Sequence, residues 1–154
     1  MLHIYLQPYG FLMKKCLNEA RHQKLIDTTM KKKILNVLSI LFGLLLINGG
    51  LDKFFHYMPI PEDLPEILVK YNLAIMEIGW LMPLVGFAEL LGGLLILFPK
   101  TRALGALVVF PVMVGVLLTH IFVAPEGLVI AFVIWAILLW IIIENRGKYL
   151  KLLE

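Results

Sequence analysis

Four polar side chains set among apolar neighbours are the candidates for chemistry in this 154-residue chain: Glu89, Lys53, His120 and Asn48. Glu89 lies near the middle of Ile78–Pro99, a 22-residue stretch with no other charged residue. At the centre of a lipid-spanning helix a charged side chain costs about 2.5–3.5 kcal/mol, so such a residue belongs in the protein interior with a partner or a function. Burial favours the neutral carboxylic acid, which can donate a hydrogen bond or carry a proton. A nearby cation, Lys53 reaching inward, would instead hold it ionised. The plainer alternative is a structural hydrogen bond from Glu89 to Asn48 or to a hydroxyl of a neighbouring helix. His120 is the only histidine in the apolar runs. It is suited to proton exchange near neutral pH, or simply to bonding water or a loop carbonyl at a helix end. A haem held by two facing histidines is poorly supported. A metal held by His56, His120 and a carboxylate has no diagnostic spacing, so no metal site is assigned. No phosphate loop, nucleophile elbow or H-x-x-x-H occurs, and a lone Cys16 permits neither an intrachain disulfide nor a C-x-x-C redox pair.

The elements that must position these groups are apolar. Of all residues 60% are hydrophobic and 16% charged, against about 45–50% and about 25% in an ordinary soluble domain. The excess is concentrated in four runs, Ile34–Leu51, Ile78–Pro99, Ala103–Pro125 and Gly127–Ile143. Each is close to the roughly 20 residues needed to cross about 30 Å of hydrocarbon, and none shows the recurring polar face of a soluble helix. The expected fold class is therefore an all-α membrane protein. It is a bundle of four transmembrane helices, with spans at about 34–51, 78–98, 103–123 and 127–143.

Basic residues orient the bundle. The segments before the first span, between the second and third, and after the fourth hold twelve of the fourteen Lys and Arg. The positive-inside rule then places both termini in the cytoplasm, at the cell's inner (plasma) membrane. The same distribution makes the net charge of +3 a matter of topology and argues against nucleic acid as a partner. Residues 1–29 read as a cytoplasmic leader. Met30-Lys31-Lys32-Lys33 resembles a translation start with a basic n-region, so the leader is either an extension upstream of that start or a surface helix. Residues 30–148 form the membrane domain and 149–154 a cytoplasmic tail. Between the first two spans, Pro61-Glu62-Asp63-Leu64-Pro65 looks like a helix start, and a short helix from roughly Glu62 to Asn72 is expected at the outer face.

Small residues mark expected packing faces. Gly79, Gly86 and Gly93 recur every seven residues, and Glu89 falls on the same stripe. Span one offers Asn36, Ser39, Gly43 and Gly50, and span three offers Pro111, Gly115 and Thr119. Gly43, Gly79, Gly86, Gly93 and Gly115 are thus read as points of close helix approach. From the topology Glu89 lies roughly 16 Å below the outer boundary and His120 roughly 5–8 Å below it, at 1.5 Å per residue. With Asn48 and Lys53 they outline a pocket opening outward. Trp80, Trp135, Trp140 and Tyr149 read as interface or packing aromatics.

Several motifs occur in a familiar order: LINGGLDKF at Leu46–Phe54, G-x-x-E-x-x-G-G at Gly86–Gly93, and LLILFPKTR at Leu94–Arg102. In that order and spacing, over roughly Met30 to Lys148, the chain resembles the DoxX family of small four-helix membrane proteins. The resemblance implies a redox-associated membrane protein and places Lys53 and Glu89 at the family's polar motif positions. Namesakes of the family are linked to quinone-coupled sulfur oxidation. The function it implies is an accessory subunit of a quinone-linked membrane system with a buried carboxylate, not an independent enzyme. A quinone would be held through a partner, since no haem or metal motif is present. The expected partners are the lipid bilayer, a redox protein and further copies of the chain. A small-solute or proton transporter, and a structural assembly factor, are the competing readings.

Overall fold

The computed structural model describes residues 7–59 and 65–151, and every regular element among them is helical. The helices are α1 (Gln7–Phe55), α2 (Glu66–Glu77), α3 (Leu81–Leu97), α4 (Arg102–Phe122), α5 (Leu128–Glu144) and the short α6 (Arg146–Leu150). A 3₁₀ turn, Pro125–Gly127, joins α4 to α5. Among the described residues three helices are long and apolar enough to cross a membrane, and the number rises to four if α2 and α3 count together as one bent span. The chain falls into two units, Met1–Asn36 and Val37–Glu154. In the first, residues 7–36 are helical. All of the features below belong to the second.

The run Ile78–Pro99 is not one continuous helix. α2 ends at Glu77, and Gly79 follows in the left-handed region with φ +66° and donates its N–H to Met76 O at 3.0 Å. That conformation is the usual glycine stop after a helix, because a Cβ there would crowd the backbone. α3 begins two residues later at a bend of 93°. Pro83, in the first turn of α3, needs no donor because the first N–H groups of a helix have no intrahelical acceptor. Gly79 is thus a corner, not a packing position, and a Cβ there would meet nothing within 4 Å. α2 starts after extended Pro65, with Glu66 favourably placed in its first turn. The expected start at Glu62 lies outside the described residues, and the helix runs on past Asn72 to Glu77.

Glycine pairs set the helix packing. α1 and α3 run antiparallel, with Gly43 against Gly93 and, seven residues along on each, Gly50 against Gly86. A Cβ on Gly43 would stand 2.9 Å from Gly93 O, and one on Gly50 would stand 2.8 Å from Gly86 O. Gly92 turns to the other side of α3 and meets Gly105 of α4, whose own Cβ would lie 2.7 Å from Gly92 O. The Gly92-Gly93 doublet therefore serves two contacts in different directions, which lets α3 lie close to both neighbours. Between α4 and α5, the Trp135 indole donates to Met113 O at 3.0 Å and stands edge-on to Phe110 with centroids 5.6 Å apart. Phe42, Leu46, Ile96, Val109, Met113, Leu138 and Ile141 fill the core. Only 22% of the apolar window of α4 is buried within the protein. The remaining Leu, Val and Phe faces are stable against lipid, not against water.

Side-chain donors hold the carbonyls around the α3–α4 turn. Thr101 Oγ1 donates to Leu95 O at 2.8 Å, and the buried Arg102 donates through Nε to Ile96 O at 3.3 Å. Lys148 of α6 reaches the same turn, with Nζ 2.6 Å from Pro99 O, and Tyr149 donates its hydroxyl to Ala103 O at 3.0 Å. The last carbonyls of a helix have no intrahelical donor, so Thr101 and Arg102 cap α3, while Lys148 and Tyr149 fasten α6 to the turn and to the start of α4.

Candidate functional site

Lys53 and Glu89 form an ion pair, Nζ to Oε2, at 2.6 Å. Their side chains are 25% and 9% exposed, so the pair is largely withdrawn from solvent. Its direction is unusual. Lysines near the end of a membrane helix ordinarily extend their ammonium towards water. Lys53 is two residues from the end of α1, yet its Nζ turns back along the helix and also donates to Gly49 O at 3.4 Å. The close approach of α1 to α3 makes this reach possible. Gly86 lets Lys53 Cβ come within 3.1 Å of where its own Cβ would stand, and Gly49 leaves Glu89 Oε2 3.5 Å from its missing Cβ.

The pair lines a cavity of about 340 Å³. Ile75, Leu81, Met82 and Val85 form the α2–α3 side of it, and Pro111, Val112, Gly115 and Val116 the α4 side. Thr119 and His120 complete the polar lining. The Pro111, Gly115 and Thr119 stripe therefore faces a cavity and not a helix seam. A Cβ on Gly115 would meet nothing within 4 Å, so Gly115 is not a packing contact but part of the gap itself. The Thr119 hydroxyl donates to Gly115 O at 2.9 Å within its own helix.

His120 Nδ1 lies 2.8 Å from Val116 O. A carbonyl can only accept, so Nδ1 carries hydrogen, and in a neutral ring Nε2 is left as the acceptor. That edge of the ring packs over Gly127, where any side chain would collide with it. Asn48 is occupied elsewhere. It is exposed, and the Tyr57 hydroxyl donates to its Oδ1 at 2.6 Å and its carbonyl at 2.9 Å. Asp52 also shapes this exit from α1, its Oδ1 accepting from Met58 N at 2.7 Å. His56 leaves the helix with φ 50°, a left-handed position where histidine is one of the better-tolerated side chains.

The structure thus brings Lys53, Glu89 and His120 to one cavity and leaves Asn48 with Tyr57. Gly50 of the span-one stripe is a close-approach position, and Gly92 and Gly105 are additional to it and to Gly43, Gly86 and Gly93. Gly105 had a sequence signal, since an isolated glycine near the start of an apolar helix has no turn to make.

A family model described as "Methylamine utilisation protein MauE" matches residues 31–131. The resemblance to the DoxX family is overturned by this match, and no DoxX model matches. The glycines of two of its three motifs, at Leu46–Phe54 and Gly86–Gly93, fall at helix-packing positions, and such spacing recurs wherever membrane helices approach closely. No curated protein and no solved structure matches the chain.

Proposed function

This chain belongs to the MauE family, and from that premise we propose that it is a membrane accessory protein of a redox system serving methylamine utilisation. To use methylamine a cell must break its one C–N bond. Oxidation to the aldehyde level with water releases ammonia, two protons and two electrons, and those electrons need an acceptor. In this reading a partner protein carries the electrons, a quinone of the bilayer receives them, and this chain supplies the membrane-embedded cavity beside that partner. Glu89 is the group that takes up or positions a proton or ligand, with Lys53 holding its charge and His120 at the same cavity. The observation that carries the site is the inward-turned Lys53, because a lysine near a helix end had water within reach and is held by Glu89 instead.

The arrangement in the membrane follows the distribution of basic residues. α1, the bent α2–α3 pair, α4 and α5 make four crossings of the inner membrane, with both termini cytoplasmic and α2 along the outer face. Support comes from the 93° bend, which sets α2 across the direction of α3.

Deleting the gene tests the functional reading. Growth on methylamine as sole nitrogen source should fail while growth on ammonium is unchanged, and a Glu89→Gln copy should restore growth poorly. Normal growth of the deletion strain on methylamine would sink the reading. The cavity also favours a second reading, a proton or solute transporter. Flux into liposomes carrying the purified protein, abolished in Glu89→Gln, would establish that one in its place.

A further inference from the structure

The cavity beside the ion pair has a chemical character that limits what it can hold. Its walls are aliphatic on both sides, from Ile75, Leu81, Met82 and Val85 to Val112 and Val116. Its formally charged lining residues are Lys53 and Glu89, and these compensate each other at 2.6 Å. The pair is not saturated. Lys53 Nζ has three donors and makes bonds to Glu89 and Gly49, while Glu89 Oε1 takes no hydrogen bond from any described residue. One end of the cavity thus offers an ammonium N–H and a carboxylate oxygen side by side.

Charge excludes two classes of occupant. An alkylammonium ion at Glu89 Oε1 would share one carboxylate with the Lys53 ammonium on Oε2, setting two positive charges against a single negative one. A carboxylate would meet Glu89 in the same way. Both repulsions act close to a pair whose side chains are only 25% and 9% exposed, where screening by water is reduced. An uncharged head has no such conflict: a hydroxyl donates to Glu89 Oε1 and accepts from Lys53, and a carbonyl accepts from Lys53. The volume of about 340 Å³ falls at the lower end of the ~300–1,000 Å³ found for small-molecule sites. Gly115 keeps that volume open, since a Cβ there would meet nothing within 4 Å.

We propose that this cavity binds an uncharged, lipid-borne amphiphile with a hydroxyl or carbonyl head, seated against the Lys53–Glu89 pair, and that it rejects alkylammonium ions. Methylammonium is then not the ligand of this site, whatever process the protein serves. The proposal stands apart from the redox reading, because growth on methylamine tests that reading and ligand labelling tests this one.

The experiment uses the full chain in phosphatidylcholine nanodiscs with three probes sharing one diazirine-bearing decyl chain: the alcohol, the ammonium and the carboxylate. The alcohol should label Met82, Val85, Val112 or Val116 about tenfold more than either charged probe, a ratio equivalent to about 1.4 kcal/mol of binding. Gly115→Leu fills the gap without altering the ion pair and should abolish that labelling while the melting temperature is held or raised. A lipid extract of the source cells should compete with the alcohol, and an aqueous extract should not. Equal or stronger labelling by the ammonium probe, alcohol labelling that survives in Gly115→Leu, or competition by the aqueous extract alone would overturn the proposal.

Discussion

Gly50 faces Gly86 across the α1–α3 contact, and each stands three residues before one member of the ion pair, Lys53 or Glu89. The two helices run antiparallel, so the ion pair spans a vertical offset that only a long side chain turned inward can cover. The glycine contact and the charge contact are therefore one device. Backbone proximity at Gly50 and Gly86 brings the lysine stem alongside α3, and the stem delivers the ammonium to Glu89.

Substituting Gly50 should show this dependence. A Cβ there would stand 2.8 Å from Gly86 O and 3.0 Å from Leu90 N, both backbone atoms that cannot step aside. Gly50→Ala should therefore force α1 and α3 apart and cost about 1–3 kcal/mol, the range for overpacked contacts. Gly115→Ala is the control, because its Cβ meets nothing within 4 Å. It should be neutral or stabilising by about 0.5–1 kcal/mol, since alanine is the better helix former. Unfolding in detergent measures both, and equal losses for the two variants would refute the distinction.

The ion pair should behave as a unit. Glu89→Gln leaves a largely buried ammonium without its counter-charge, and Lys53→Met leaves a buried carboxylate. Breaking a buried pair from one side costs about 3–5 kcal/mol, and the 25% exposure of Lys53 places these variants at or below the low end. The double variant should be less destabilised than the sum of the singles, because it strands no charge. Strict additivity in a double-mutant cycle would show that the pair is not coupled.

How much of this was legible in the sequence depends on which residue is asked. The membrane class was plain, because runs such as Ala103–Pro125 are apolar on every side and have no soluble explanation. Glu89 was legible for the same reason, as a charge with no polar neighbours to account for it. The α2–α3 corner was hidden because hydropathy continues straight through it. Its signals were local ones, a glycine at position 79 and a proline four residues on, and the seven-residue glycine interval pointed the other way. The interval of Pro111, Gly115 and Thr119 misled similarly, since small residues mark either a seam or a gap, and spacing cannot tell which. Only the position of a neighbouring helix decides it. The family assignment failed for a related reason, because short motifs of packing glycines and a helix-end turn carry geometry and little ancestry.

Gly79 itself makes a sharp prediction. Its φ of +66° is strained for any residue with a Cβ, even though a Cβ would meet nothing within 4 Å. Gly79→Ala should cost about 1–2 kcal/mol from backbone strain alone, and Gly79→Asn less, because asparagine tolerates the left-handed region. Comparable losses for the two variants would show that the corner is held by something other than this dihedral.

The tail should confer a pH dependence at the alkaline end. Tyr149 in α6 donates to Ala103 O at 3.0 Å, and burial raises its pKa above the ordinary 10.0. A folded-state pKa above the unfolded one means the neutral phenol is favoured by folding. Its contribution is fully present below pH 10 and is lost as pH rises from there through the raised value. Ionisation removes the donated proton, so the α3–α4 turn loses one of the bonds that fasten α6 to it. Tyr149→Phe should lower the melting temperature at neutral pH and also flatten the decline above about pH 10. Lys148→Met, which loses the bond to Pro99 O, should lower stability by about 0.5–1.5 kcal/mol and leave the tyrosine-dependent decline in place. Melting curves of the three proteins between neutral and strongly alkaline pH decide the matter: a decline of unchanged steepness in Tyr149→Phe would assign it to other groups.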